Sequence, residues 1–191
     1  MPIVDTLAKD HRALEQTLTE LTATASSEAP RRIELFSNLQ ALLQAHSRAE
    51  EEVVYRRLRR HEPDEAKTLE AFEEHHIADI LCQELASSVP GGRGWAAKVK
   101  VLEEVLRLHI KEEELNLFAL INADFDEPAR VLMDHEFRAL KHERLELMLA
   151  PLRRATPAFA GRAAITAQAA AGRYLRRGER YVRQKLGALR R

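Results

Sequence analysis

The chain has 191 residues, about the length of one domain, of which 45% are apolar and 31% charged, with only seven Gly and seven Pro. This composition excludes a disordered chain and a collagen, and the lack of any apolar run of about 18 residues excludes a transmembrane protein. The net charge is zero, but residues 128–191 hold 15 Lys and Arg against 5 Asp and Glu, so residues 1–127 are acidic. A single cysteine, Cys82, and an N-terminus without a signal pattern predict a cytoplasmic protein without disulfides or thiolate zinc sites.

Apolar residues recur at three- and four-residue spacing along most of the chain, which predicts helices rather than strands. Breaks between the helices are expected at the polar stretch 22–30, at Pro63 and at the Pro- and Gly-rich segment 89–94. Helices are predicted at about residues 4–21, 31–60, 64–88, 95–122, 129–150 and 162–188. We therefore expect an all-α fold, namely an up-down-up-down four-helix bundle with two additional C-terminal helices.

Polar residues interrupt the apolar stripes of three predicted helices. His46 and Glu50 continue the leucine stripe of the second helix, and His109 and Glu113 continue that of the fourth. His11 lies between Leu7 and Leu14 of the first, where a single core histidine would not be unusual. Because an unpaired buried carboxylate costs several kcal/mol, two such Glu residues among imidazoles favour a metal site, and this donor set suits iron, zinc or manganese.

The two His-xxx-Glu segments belong to a longer internal repeat. HSRAEEEVVY at 46–55 aligns with HIKEEELNLF at 109–118, and each follows an earlier helix with a histidine, KDHRALEQTLTEL with His11 and EEHHIADILCQEL with His75. Residues 1–122 are therefore interpreted as one helical hairpin used twice. Each copy supplies one His from its first helix and a His-xxx-Glu pair from its second.

This pattern resembles the hemerythrin-like, or HHE cation-binding, family over about residues 3–122. The resemblance implies a four-helix bundle with a non-haem di-iron centre, two iron ions bridged by carboxylates and by an oxo or hydroxo group. By the same resemblance, Glu50 and Glu113 are the bridging carboxylates. The complete set of metal ligands that it implies is His11, His46, Glu50, His75, His109 and Glu113.

The chain departs from the oxygen-carrying members of that family. Their fifth histidine is replaced here by Asp79, and their bridging Asp by Glu113, or by Glu114 one residue later. Reversible oxygen carriage is therefore not implied, and a site with one His fewer has an open position for a small ligand. On the third helix the repeat favours His75, whereas the apolar stripe favours His76. Tyr55 is either a residue of the core or a neighbour of the site.

Two other kinds of metal site fit less well. A ferritin-like site needs two Glu-xx-His motifs, and the chain has one such spacing, from Glu73 to His76. No HExxH motif is present for zinc hydrolysis.

We divide the chain into a di-iron bundle at 1–125 and a C-terminal helical hairpin at 126–191. The hairpin is interpreted as a degenerate third repeat with His135 but no partner His, packed on the bundle or at a homodimer interface. Its basic end, 173–191, is expected to lie on the acidic bundle rather than on nucleic acid or a membrane surface.

The expected function is a metal-binding protein that takes O2, NO or peroxide as a small ligand, in sensing, storage or stress response. An enzyme that decomposes peroxide is an alternative, for which Tyr55 and Asp79 are candidate proton donors, and the residues do not decide whether the protein is an enzyme. A regulatory module that acts through the basic C-terminal helices is the third alternative.

Overall fold

The computed structural model describes residues 2–60 and 66–154, which form five helices and contain no strand. Helix α1 is Ile3–Thr22 and α3 is Ala66–Ala86. Two helices contain a π-helical turn. Helix α2 consists of Ala29–Glu50, the π segment Glu51–Tyr55 and a last turn, Arg56–Leu58. Helix α4 consists of Arg93–Glu112, the π segment Glu113–Leu117 and a last part, Phe118–Asp124. Helix α5 is Glu127–Arg154. The predicted all-α fold is confirmed, and the predicted sixth helix at 162–188 lies outside the described residues.

The helix boundaries follow local sequence signals. Pro30 lies in the first turn of α2, where its missing N–H costs nothing, and Gly92 in an extended conformation precedes α4. The predicted second and fourth helices therefore begin about two residues earlier than expected. The charged side chain of Arg32 is buried, with 5% of its surface exposed. Its guanidinium donates hydrogen bonds to the carbonyl oxygens of Thr24 and Pro90 and so connects the two loops at this end of the bundle.

Two apolar clusters form the core. One contains Leu14, Leu18, Leu39, Leu43, Cys82, Leu102 and Leu106 among its members, and the other contains Ile3, Leu7, Val53, Tyr55, Leu117, Ile121 and Phe137. Each fully buried Leu or Phe contributes about 1.5–3 kcal/mol to stability. Each of the first four helices passes from one cluster to the other, α1 between Leu7 and Leu14, α2 between Leu43 and Ala49, α3 between Ala71 and Ala78, and α4 between Leu106 and Leu117. The polar residues of the predicted site lie within or directly beside these four intervals.

The first part of α5 packs against the bundle. Met133 and Phe137 are buried with the second apolar cluster. Asp134 is buried, accepts a hydrogen bond from the Thr6 hydroxyl of α1 and is 3.0 Å from the Arg138 guanidinium. Contacts group Met1–Glu146 into one compact unit, which contains Thr6, Met133, Asp134, Phe137 and Arg138.

Candidate metal centre

Six polar side chains from α1, α2, α3 and α4 meet between the two apolar clusters. Each is between 1% and 4% exposed. We call them the central cluster, which consists of His11, His46, Glu50, His75, His109 and Glu113. They are the six residues that the family resemblance implies as ligands, and the four helices bring all of them together.

The central cluster contains two overlapping groups of possible ligands, in each of which the ligand atoms lie within 4.8 Å of one another. Glu50 and Glu113 belong to both groups. His11 and His46 complete the first group, and His75 and His109 complete the second. The arrangement therefore provides two adjacent positions for a cation, which share two carboxylates.

The Nε2 atoms of the histidines point into the centre. His46 Nε2 is 3.3 Å from Glu50 Oε2, and His109 Nε2 is 3.3 Å from Glu113 Oε2. His11 Nε2 lies 3.2 Å from the same Glu113 oxygen. Within the described residues, three of these atoms make no hydrogen bond: His11 Nε2, His46 Nε2 and Glu113 Oε2.

The Nδ1 atom of each histidine meets a carboxylate at the periphery of the site. We call these four acids the outer carboxylates. They are Glu114 at 2.9 Å from His11, Asp10 at 3.3 Å from His46, Glu51 at 3.1 Å from His75 and Glu74 at 2.7 Å from His109. Since a carboxylate only accepts, each Nδ1 carries the hydrogen, and in the neutral ring Nε2 then presents a lone pair to the centre. This is the arrangement in which histidines commonly hold metal ions.

The electrostatics of the centre favour a positive charge. Burial lowers the pKa of His46, but the adjacent Glu50 and Asp10 carboxylates outweigh it and raise that pKa to about 10. Burial raises the pKa of Glu113, but His109 and His11 beside it outweigh this and hold its pKa far below the usual range. Without a metal ion, protons bound to histidines are the only positive charges among these six residues.

The two π-helical turns place an aromatic ring over each half of the site. Tyr55 lies at the end of the first π segment and stacks on His75 with ring centroids 5.4 Å apart. Phe118 follows the second π segment and stacks on His11 at 5.8 Å. The two π segments therefore lie at equivalent positions of the internal repeat. Such turns are frequent at functional sites.

The halves differ because one ring carries a hydroxyl. Tyr55 is fully buried, and its hydroxyl donates to Glu113 and lies 3.4 Å from Glu50 Oε2 and 3.5 Å from His75 Nε2. Phe118 has no such group. Burial together with Glu113 and Glu50 raises the pKa of Tyr55 well above its ordinary value, so the hydroxyl keeps its proton.

The structure places the remaining candidates outside the central cluster. His76 is exposed, so His75 rather than His76 is the histidine that α3 contributes. Asp79 pairs with Arg48 at 2.8 Å and accepts from Gln44, and Glu114 contacts His11 from the periphery. His135 and His142 are exposed on α5.

Sequence reasoning missed Asp10, Glu51 and Glu74 as partners of the histidines. A signal was present, because an acid directly precedes His11 and His75 and directly follows Glu50 and Glu113. Each of these acids pairs with a histidine of another helix rather than with its neighbour in the chain.

None of the helices within residues 2–60 and 66–154 is both long and apolar enough to cross a bilayer.

Comparison with known proteins shows a family and a fold for this chain. The family model of the hemerythrin HHE cation binding domain matches residues 2–121. The crystal structure of a hemerythrin HHE cation binding domain-containing protein from Mycobacterium kansasii has the same fold, with a TM-score of 0.72 and 17% identity over 87% of this chain and 99% of that one. A protein from Nostoc sp. named DNA nickase is 30% identical over 142 residues, which are 74% of this chain but only 39% of that protein.

Proposed function

Because the chain belongs to the hemerythrin HHE cation-binding domain family, we propose that its central cluster holds two non-haem iron ions that bind a small ligand such as O2, NO or peroxide. The observation that carries the proposal is the set of buried lone pairs. Two imidazole nitrogens and one carboxylate oxygen have no hydrogen-bond donor among the described residues, although all three are fully buried. Buried polar atoms without a partner are costly, and a cation between them removes that cost.

The donor set fits iron. His11 and His46 would hold one ion and His75 and His109 the other, with Glu50 and Glu113 shared by both. Imidazole and carboxylate together are common ligands of non-haem iron, and the outer carboxylates orient the four rings and increase their basicity. Iron bound in this way supplies a redox-active Lewis acid that takes a small molecule as a further ligand.

Burial limits the size of the ligand. All six residues of the central cluster are at most 4% exposed, and Tyr55, Phe118 and Phe137 pack against their imidazole rings. A diatomic molecule or peroxide is small enough to reach such a site by local motion of side chains. A phosphodiester is not, so the burial argues against cleavage of DNA at this centre, although the Nostoc protein that matches part of this chain is named DNA nickase.

The position of Tyr55 favours a second candidate function, the decomposition of peroxide. Its hydroxyl is buried beside Glu50, Glu113 and His75 and retains its proton, so it is available as a proton donor to a ligand in the centre. A positioned proton donor is a common contribution of the protein to such chemistry. Asp79, the other candidate, is instead paired with Arg48 at 2.8 Å.

Metal content and absorption of aerobically purified protein test the proposal. We expect about two iron ions per chain and near-ultraviolet charge-transfer bands typical of a bridged iron pair. Repeated consumption of peroxide, as opposed to bleaching after one equivalent, would favour the enzyme over the binding protein. A chain that binds no iron after anaerobic loading with ferrous ion would overturn the proposal.

A further inference from the structure

Helix α5 contacts the metal site from outside the part of the chain that the family model matches. Lys141 Nζ lies 2.5 Å from Asp10 Oδ2, and the same oxygen lies 3.3 Å from His46 Nδ1. One turn before Lys141, the ring of Phe137 packs edge-on against the imidazole of His46, with centroids 5.7 Å apart. Two side chains of α5 therefore act on one histidine, one of them directly and the other through a carboxylate.

The Asp10 pair is the longest of the four contacts between a histidine and an outer carboxylate, whose lengths run from 2.7 to 3.3 Å. Asp10 Oδ2 is shared between two donors, and its side chain is 13% exposed, so water is within its reach. A second contact to the Asp10 carboxylate is therefore needed to keep it within hydrogen-bonding distance of His46. In the other half of the site Arg48, at 2.7 Å, does the same for Glu51.

Lys141 is itself held in place by the docking of α5. Phe137 is fully buried and Asp134 is 3% exposed, and both lie on the same face of α5 as Lys141. Asp134 and Arg138 bind the Thr6 hydroxyl of α1, one turn before Asp10. The two helices thus share a row of polar contacts that ends at Asp10.

We propose that Lys141 is a positioning residue, which holds the Asp10 carboxylate on His46 and so slows the loss of the metal ion that His11 and His46 bind. The inference rests on the proposed function, because it concerns the retention of an ion in the central cluster. It assigns α5 a part in that retention, and only one of the two ion positions depends on α5. The position held by His75 and His109 does not depend on this contact.

The test is the rate at which iron is removed by a chelator from loaded full-length protein. We compare wild type with Lys141→Met, Asp10→Asn and the double variant. Removing a carboxylate that orients a metal-bound histidine typically weakens metal binding 10- to 100-fold, and we expect Lys141→Met to reach about the lower end of that range. One of the two ions should leave about tenfold faster, and the other should leave at the wild-type rate.

The double variant separates positioning from a general effect on the fold. If Lys141 acts through Asp10, its removal adds nothing once Asp10 is replaced, and the double variant releases iron at the rate of Asp10→Asn alone. Lys141→Arg keeps the charge and should restore slow release. Lys98→Met is the matched control, because Lys98 forms a comparable ion pair between α3 and α4, 3.0 Å from Glu84, that contacts none of the histidines.

Wild-type release by Lys141→Met, additive effects in the double variant, or equally fast loss of both ions would each overturn this inference while leaving the iron centre intact. A loss that Lys98→Met matches would also overturn it. A wild-type chain that binds no iron would instead overturn the proposed function, and this inference with it. If Lys141→Met does not fold, Lys141→Gln and Asp10→Asn supply the same comparison.

Discussion

His75 and His109 face each other across the centre with their Nε2 atoms 3.1 Å apart, while the Nδ1 atom of each is within hydrogen-bonding distance of a carboxylate. Two neutral imidazoles arranged in this way would direct two lone pairs at each other. The pair is favourable only when a positive charge lies between them or beside them. A positive charge is therefore needed at this contact, either a proton that one ring donates to the other or a metal ion that both nitrogens bind.

Replacing Glu113 should remove the shared carboxylate from both ion positions. Glu113→Gln retains the size of the side chain but loses its charge and one of its two ligand oxygens, so we expect the loss of most of the bound iron. Elemental analysis of purified protein measures this. Glu104→Gln, an exposed residue of the same helix, should retain wild-type iron, and wild-type iron in Glu113→Gln would contradict the assignment.

Replacing Tyr55 by Phe should separate metal binding from proton donation. Phe118 occupies the corresponding position in the second half of the site, so a phenylalanine ring is compatible with this packing. We expect iron content to be unchanged and the rate of any peroxide consumption to fall at least about 100-fold, the usual contribution of a proton donor. Peroxide assays with iron quantified in the same sample provide the measurement, and an undiminished rate would exclude Tyr55 as the donor.

Truncating Phe137 should show that α5 is part of the folded bundle. Phe137 is fully buried in the same apolar cluster as Leu7 and Val53, so Phe137→Ala should lower the free energy of unfolding by about 3–5 kcal/mol. Leu132→Ala, on the same helix and 56% exposed, should change it by less than about 0.5 kcal/mol. Urea unfolding followed by circular dichroism compares the two, and equal effects would mean that α5 does not contribute to the core.

The thiol of Cys82 should react only when the protein unfolds. Cys82 is fully buried, and burial, with Asp79 nearby, raises its pKa far above the ordinary value, so almost no thiolate is present even at mildly alkaline pH. Labelling with a disulfide reagent at pH 8 should therefore be slow in native protein and complete in denaturant. Fast labelling of native protein would show that α3 opens readily.

The helices of the described residues and four members of the central cluster, His46, Glu50, His109 and Glu113, could be predicted because both rest on local periodicity, whereas the complete set of six came from the family resemblance. Histidine and glutamate at leucine positions of α2 and α4 are visible without coordinates, and so is the repeat of the two hairpins. The choice between His75 and His76 was different, since the repeat and the apolar stripe disagreed. Only the packing of α3 against α4, which buries His75 and exposes His76, decides between them.

The outer carboxylates could not be paired from the sequence. Asp10 adjoins His11 in the chain but contacts His46, and Glu51 adjoins Glu50 but contacts His75 on α3. Such pairs depend on how the helices are rotated against one another, which a single helix does not encode. The contribution of Lys141 from α5 was hidden for the same reason.

The π-helical turns have a consequence for how this protein tolerates changes in length. A π turn contains one residue more than an α turn, so a deletion within Glu51–Tyr55 or Glu113–Leu117 would leave an ordinary α-helix. Because the extra residue is accommodated within one wide turn, the residues that follow would keep the face of the helix on which they now lie. Apart from Glu113 and Tyr55, which contact the centre themselves, one residue could thus be lost from either segment without turning the end of the helix away from the core.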